Sequence, residues 1–202
     1  MIVEELRKEP ATAFLILVNV LVFVAVEFTG GSQNTQNMLK WGAAYTPMIL
    51  EQGQVYRMFT SIFLHFGMSH LANNMLVLFV LGGRLERVTG KIKFLLIYFA
   101  GGIGGNILSL YLDTKNMEFA VSAGASGAIF AVMGAMIYAI IRQKGRIEDL
   151  SARQIIIMAA FSLYFGFTSS GVDNAAHVGG LICGFLAAVL LYHPRNMRNT
   201  EP

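Results

Sequence analysis

Long apolar runs separated by short polar breaks dominate this chain, a pattern that predicts helices crossing a bilayer. Six runs stand out, at about 11–27, 69–83, 94–112, 125–142, 154–168 and 175–192. Several of them approach the roughly 20 apolar residues needed to span a hydrocarbon core. Between residues 11 and 26, Asn19 is the only strongly polar residue. The third run carries Gly101, Gly102, Gly104 and Gly105, and the sixth carries Ala176, Gly180 and Gly184 at four-residue intervals. Both patterns let neighbouring helices approach closely. The stretch 29–62 is not a plain hydrophilic loop, because Trp41, Tyr45, Met48, Ile49, Leu50, Tyr56, Met58 and Phe59 are scattered among Gln, Gly and Arg. That mixture suits short helices lying at a membrane interface. The expected fold is all-α: a polytopic membrane protein, a six-transmembrane-helix bundle with a long interfacial first loop, with residues 1–202 forming one membrane domain.

Composition narrows the class. With 55% apolar and 13% charged residues and a positive mean hydropathy, the chain is too apolar for an ordinary soluble domain of its length. No basic cluster is interleaved with aromatics, which excludes nucleic acid as a partner. The single cysteine, Cys183, sits inside an apolar run; it rules out a disulfide within the chain and reads as a small core residue. The first run follows Arg7 and Lys8 as a signal peptide would, yet Ala25-Val26-Glu27-Phe28 offers no small-residue cleavage site, so the run reads as a retained anchor. Six crossings return both termini to one side. Of the 15 Lys and Arg residues, all but Lys40, Arg57 and Lys115 fall in the head, in the loops after the second and fourth runs, or in the tail. The positive-inside rule therefore puts both termini in the cytoplasm.

That topology has a chemical consequence. The second, fourth and sixth runs all start at the outer face, and His70, Ser126 and His177 each lie near the start of one. All three are expected at one depth, just beneath the outer surface. Taken alone, Gly124-Ala125-Ser126-Gly127 is a small-residue seam for helix packing. Beside a base it becomes something else, since a serine hydroxyl is a weak nucleophile until a histidine takes its proton. Ala176-His177-Val178-Gly179-Gly180 supplies an imidazole. His70 and Asn74 are four apart and share a helix face; they read either as interhelical hydrogen-bond glue or as donors to an oxyanion. The Ser126 backbone N–H, at a helix N-terminus, is a further free donor. Ionisable and polar groups inside crossings are expensive and mark function by default.

No acid completes a triad. Asp173, four residues before His177, reads as a solvated loop residue near the helix start, which leaves a Ser126–His177 dyad. Among the neighbours, Ser69 reads as the N-cap of the second run, His65 as a loop-ordering residue, Phe130 as a core residue packing on His177, Gly171 as a hinge, and His193 as a cation at a helix C-terminus. A metalloprotease would need His-Glu-x-x-His, which is absent. No pair of aspartates lies within the runs, so an aspartyl mechanism lacks its parts. No metal or other cofactor is expected.

The three motifs, on alternate runs and in this order, resemble those of the rhomboid intramembrane serine proteases. Gly124-Ala125-Ser126-Gly127 is similar to the family's Gly-x-Ser-Gly nucleophile motif. His70-Leu71-Ala72-Asn73-Asn74 is similar to its His-x-x-x-Asn oxyanion motif. Ala176-His177-Val178-Gly179-Gly180 with Gly184 is similar to its Ala-His-x-x-Gly-x-x-x-Gly base motif. The resemblance covers roughly residues 55–191. It implies a six-helix bundle, Ser126 as nucleophile, His177 as general base, His70 and Asn74 around the oxyanion, and close packing at Gly124, Gly127, Gly180 and Gly184. It further implies cleavage of single-span membrane proteins near the outer membrane face, at small residues with helix breakers nearby, in a bacterial cell membrane. Two departures stand out: Tyr56-Arg57 where the family commonly has Trp-Arg, and Phe130 where some members have tyrosine, which keeps ring stacking and loses a hydroxyl. The alternatives are a catalytically silent rhomboid-like protein that binds membrane clients, or a small transporter. A transporter would be expected to show repeats or broken helices around a midplane site, whereas the polar residues here sit high in the runs.

Overall fold

A computed structural model describes residues 8–169 and 171–193. Helix α1, Pro10–Phe28, opens with proline at its first position, where the missing N–H costs nothing. Its next two N–H groups, on Ala11 and Thr12, donate to the Glu86 carboxylate at 2.9 and 2.8 Å, and the Thr12 hydroxyl adds a third bond at 2.8 Å. A buried anion thus satisfies the positive end of the helix. Asn19 is fully buried, and its amide turns back to the Leu15 carbonyl at 2.8 Å.

The connection that follows is built of short helices, as its scattered aromatics predict: α2 (Thr35–Lys40), α3 (Thr46–Leu50), α4 (Arg57–Thr60) and a 3-10 turn at Ser61–Phe63. Arg57 holds it together. Its guanidinium is buried and donates to the carbonyls of Leu39 and Ala43 at 2.8 and 2.9 Å and to the Gln54 side chain at 2.7 Å.

The second run begins at Gly67, whose φ of +82° turns the chain, and not at a Ser69 cap. Met68–Thr89 lies at 89° to Arg57–Phe63, and glycine reaches that corner's left-handed backbone without strain. The run comprises α5 (Met68–Val77), a π-helical stretch at Leu78–Gly82 and α6 (Gly83–Thr89). It extends six residues past the expected end, so Arg84 and Arg87 lie on the helix and not in the loop. Ion pairs hold them there: Arg87 with Glu9 and Glu148, and Arg84 with Glu148 and Asp149. The Arg84 hydrogen bond keeps the exposed Asp149 carboxyl below its usual range.

Helix α7 (Lys91–Asn116) is also longer than its apolar core suggests, and α8 spans Ser126–Gln143. The charged loop after α8 folds into a two-residue hairpin, β1 (Arg146–Ile147) against β2 (Leu150–Ser151). Ser151 and Gln154 then form a capping box for α9 (Ala152–Thr168). Helix α10 is Asn174–Leu191. Apart from that hairpin and an isolated bridge between Ala44 and Ser122, the regular structure of the described residues is all helical. Four helices, α1, α7, α8 and α10, are long and apolar enough to cross a membrane, and the bent pair around Gly67 makes a fifth candidate. Helix α9 is apolar but only 17 residues long. Phe14, Leu17, Leu21, Ile107, Phe161 and Leu190 are all more than half exposed, an outer surface suited to lipid and not to water. The fold is that of a polytopic membrane protein. Arg7, Arg195 and Arg198, on which the topology reading partly rests, lie outside the described residues.

Helix α8 is the axis, buried continuously from Gly127 to Met136. Glycines bring α7 and α10 against it. A Cβ on Gly180 would fall on the Gly127 carbonyl, one on Gly184 on the Ala131 backbone, one on Gly134 on the Leu181 carbonyl, and one on Gly101 on the Ala131 methyl. Helix α9 is different: Ile155, Ala159 and Gly166 are its only buried residues, while Ile156, Phe161, Tyr164, Phe165 and Phe167 are exposed.

Two outcomes follow for stability. Gly184→Val must push α10 off α8 and is expected to cost at least about 1–3 kcal/mol, read as a lower unfolding temperature in detergent. Glu86→Ala leaves the start of α1 without its acceptor and is expected to cost about 1–3 kcal/mol, read in the same melt.

Candidate active site

The approach to Ser126 is fastened on both sides. Ser122 forms an antiparallel bridge with Ala44, each N–H donating to the other's carbonyl at 2.8 and 2.9 Å. Two residues on, the Gly124 N–H donates to the Ser61 carbonyl at 3.0 Å. Gly124 has φ +149°, and a Cβ there would lie 2.9 Å from the His70 ring. Glycine is therefore required by both backbone and space, and the imidazole of the second run lies directly beside the serine's approach. The Ala125 N–H donates to His65 Nε2 at 3.4 Å, and the His65 ring stands edge-on to His70 with centroids 5.1 Å apart. Helix α8 then begins at Ser126 itself, which leaves the first N–H groups of the helix without intrahelical partners.

His177 arrives from the first turn of α10. Asp173 caps that helix, its side chain accepting the Ala176 N–H at 2.8 Å. Gly127 and Gly180 then set the depth of the two helices relative to one another: with no Cβ on either, the Gly127 carbonyl sits against Gly180 and the Ala176 carbonyl lies 3.3 Å from where a Gly127 side chain would begin. The result is a hydrogen bond between Ser126 Oγ and His177 Nε2 of 2.8 Å. The Phe130 ring, one turn along α8, stacks on the imidazole with centroids 4.4 Å apart and planes 13° apart. His177 is 7% exposed, and its Nδ1 has no hydrogen-bond partner among the described residues. No carboxylate orients the ring; the helix, the glycine seam and Phe130 do.

His70 and Asn74 lie on the facing helix α5. Asn74 is buried at 7% exposure, and its amide nitrogen has no partner among the described residues. An uncommitted buried donor is costly unless something arrives to accept from it. His70 is partly buried beside Gly124. The structure thus brings Ser126 and His177 into direct contact, sets His70 against the Gly124 segment and leaves Asn74 with an unspent amide. A Cβ on Gly124, Gly180 or Gly184 would collide with a neighbour, and one on Gly127 would press on the Ala176 carbonyl at 3.3 Å.

Asp173 is the correction. It is not a solvated loop residue. Its carboxylate is partly buried and accepts hydrogen bonds from Ser109 Oγ at 2.6 Å and Ser122 Oγ at 2.8 Å besides capping α10. The signal was legible: an acidic residue immediately before a helical run, its side chain within reach of the third N–H, is an N-cap pattern. Its two serine partners, 51 and 64 residues away in sequence, had no such signal. Nor did the buried role of Arg57, or Asn106, whose amide reaches the Met58 carbonyl at 2.7 Å and Ser61 Oγ at 3.0 Å and so steadies the turn that receives Gly124.

A serine–imidazole pair at the head of two glycine-packed crossings invites comparison with known membrane proteins. Residues 52–194 match the family described as the Rhomboid domain. The chain is 39% identical over 202 residues to Rhomboid protease GluP of Bacillus subtilis, covering 95% of this chain and 39% of that one. It is 34% identical over 214 residues to Rhomboid protease AarA of Providencia stuartii, covering 93% and 75% respectively. It is 36% identical over 167 residues to RHOMBOID-like protein 1 of Arabidopsis thaliana, covering 79% and 42%. The chain spans about two fifths of the length of GluP and three quarters of that of AarA. With most of its length inside the matched domain, and the three motif-bearing helices converging as described, the chain belongs to the rhomboid family.

Proposed function

We propose that this chain is an intramembrane serine endopeptidase that cleaves single-span membrane proteins near the outer membrane face by a Ser126–His177 dyad. The observation that carries the reading is the 2.8 Å contact between Ser126 Oγ and His177 Nε2 inside a buried seam of α8 and α10. For His177 to act as base, Nε2 must be the unprotonated nitrogen, and Nδ1 then carries the ring proton. As Ser126 Oγ attacks a peptide carbonyl carbon, its proton moves to Nε2, and the carbonyl π electrons move onto oxygen. The Ser126 N–H, the Asn74 amide and His70 are the donors for that oxyanion. Collapse of the tetrahedral species breaks the C–N bond, and the imidazolium gives its proton to the departing amine. A water, deprotonated by the same nitrogen, then hydrolyses the acyl-enzyme and restores the serine.

Substrate enters between the second crossing and α9, which would complete a six-crossing bundle acting as one membrane unit over 1–202. Support for that gate comes from packing: α9 buries few residues against the rest, and Gly171, with φ +79°, lies in the connection that ties α9 to α10. The distribution of basic residues supports cytoplasmic termini in a bacterial cell membrane; the dyad then faces the outer aqueous side, which supplies the water. The partners are single-span proteins and the lipid bilayer itself, with no metal or other cofactor.

Two measurements test this. In liposomes carrying a single-span reporter, Ser126→Ala and His177→Ala are each expected to abolish cleavage with the folded protein still present. Cleavage that persists in Ser126→Ala would remove the nucleophile assignment, and an unaltered chain that never cleaves and takes no serine-directed fluorophosphonate would favour the silent client-binding or transporter readings. Asn74→Ala and His70→Ala are each expected to lower kcat about 10²-fold, the range for one lost oxyanion donor, while fluorophosphonate labelling remains detectable. An unchanged kcat in both would return the two residues to the role of helix-packing glue.

A further inference from the structure

The carboxylate of Asp173 stands apart from the dyad and touches both of its supports. It caps α10 through the Ala176 N–H at 2.8 Å, one residue before His177, and the His177 N–H in turn donates to the Asp173 carbonyl at 3.2 Å. Its other bonds run to Ser122 Oγ at 2.8 Å and Ser109 Oγ at 2.6 Å. Ser122 lies four residues before Ser126, as Asp173 lies four before His177. Ser122 is also the residue bridged to Ala44 of the first loop. One side chain therefore joins the start of the base's helix, the segment that delivers the nucleophile, the outer end of α7 through Ser109, and, at one remove, the first loop.

Capping alone needs only one acceptor. The second oxygen of Asp173 takes two hydroxyl donors instead of solvent, and charge-assisted hydrogen bonds of that kind are about twice as strong as neutral ones. The seam of Gly127 and Gly180 brings α8 and α10 into backbone contact but does not reach the non-helical segment 122–125 that leads into Ser126. The Asp173–Ser122 bond ties that segment to the start of α10, because it joins the same two chain segments as the Ser126–His177 bond, four residues earlier in each.

Resting on the protease reading, we propose that Asp173 is a positioning residue for the Ser126–His177 dyad, acting through Ser122 and Ser109 to fix the outer ends of α7, α8 and α10 in register. It does not touch the reacting atoms. It fixes the approach of hydroxyl to imidazole, where a displacement of 1 Å is enough to slow the chemistry about a hundredfold. The effect belongs in kcat and in the intrinsic reactivity of the serine, with substrate affinity spared.

The test uses the full chain in detergent and liposomes. Asp173→Ala, Asp173→Asn and the Ser109→Ala/Ser122→Ala pair are compared by the rate of fluorophosphonate labelling at Ser126, by kcat and KM on the single-span reporter, and by unfolding temperature. Asp173→Ala is expected to lower labelling rate and kcat together by about ten- to a hundredfold, with KM within about twofold. Asp173→Asn, whose amide oxygen still caps Ala176 and whose amide nitrogen can still meet a hydroxyl oxygen, is expected to recover much of the loss. The serine pair leaves the cap intact, so it separates positioning from folding: labelling should fall several-fold with little change in unfolding temperature. Wild-type labelling in the serine pair and in Asp173→Ala overturns the proposal, as does a loss that only tracks the fraction unfolded or appears in KM alone. An unaltered chain that neither labels nor cleaves brings down the protease reading itself, and this proposal with it.

Discussion

Backbone-to-backbone contact between α8 and α10 is the constraint on which the rest of the molecule depends. In a bilayer, helices gain little from burying apolar surface against one another, because lipid is as apolar as leucine; association relies on close packing and on hydrogen bonds between helices. Gly127, Gly134, Gly180 and Gly184 remove the side chains that would hold the two axes apart. That closeness brings a serine at the head of one helix within 2.8 Å of a histidine in the first turn of the other. Larger residues along this seam would move both partners, since neither helix has another way to approach. Phe130 uses the same proximity, lying flat against an imidazole that has no carboxylate behind it. In a soluble hydrolase an acid hydrogen-bonded to the ring would fix it; here the ring itself is held by packing against Phe130.

The first loop matters for the same reason. A nucleophile at a helix N-terminus is only as well placed as the segment that leads into it, and that segment has no helix of its own. The Ala44 bridge, the Ser61 carbonyl and the His65 ring each hold one of Ser122, Gly124 and Ala125. Their own positions depend on Arg57, whose buried guanidinium gathers carbonyls from two turns of the loop, and on Asn106 of α7. A buried arginine that spends its donors on backbone carbonyls neutralises polar groups that lipid could not solvate. The loop is thus an outer wall of the site, and its short helices follow from a sequence too apolar to float free and too polar to cross.

How far these features could be read from sequence depends on the range of the interaction. Apolar periodicity located the crossings because burial in lipid is a property of whole segments. The layer shared by His70, Ser126 and His177 followed from counting crossings, since alternate helices start at the same face. The start of the second run falls at Gly67 and not at a Ser69 cap, because a positive φ at a corner of 89° is set by the loop behind it and not by the local preference of serine for caps. The second run overshot its apolar end because Arg84 and Arg87 found carboxylates on Glu9, Glu148 and Asp149, partners far away in sequence. Asp173 fell between these cases. Its cap was local and readable; its bonds to Ser109 and Ser122 were not.

Packing across the bundle is uneven, and the unevenness has a direction. Around α8 every helix face is filled, and a misplaced methyl group would meet backbone. Along α9 most of the large side chains, from Ile156 to Phe167, face outward, and the helix is held by Ile155, Ala159 and the contact of Gly166 with Asn174. Local opening is easiest where the fewest buried apolar contacts must be broken. The Ser126–His177 contact therefore sits on the most continuously buried axis, while α9 is the least tightly bound wall of the bundle. A uniformly dense bundle could hold the same two side chains at the same distance and admit nothing to them; a uniformly loose one could admit a helix and never hold the pair. Gly166 and Asn174, the latter three residues ahead of His177, mark the boundary between the two regimes.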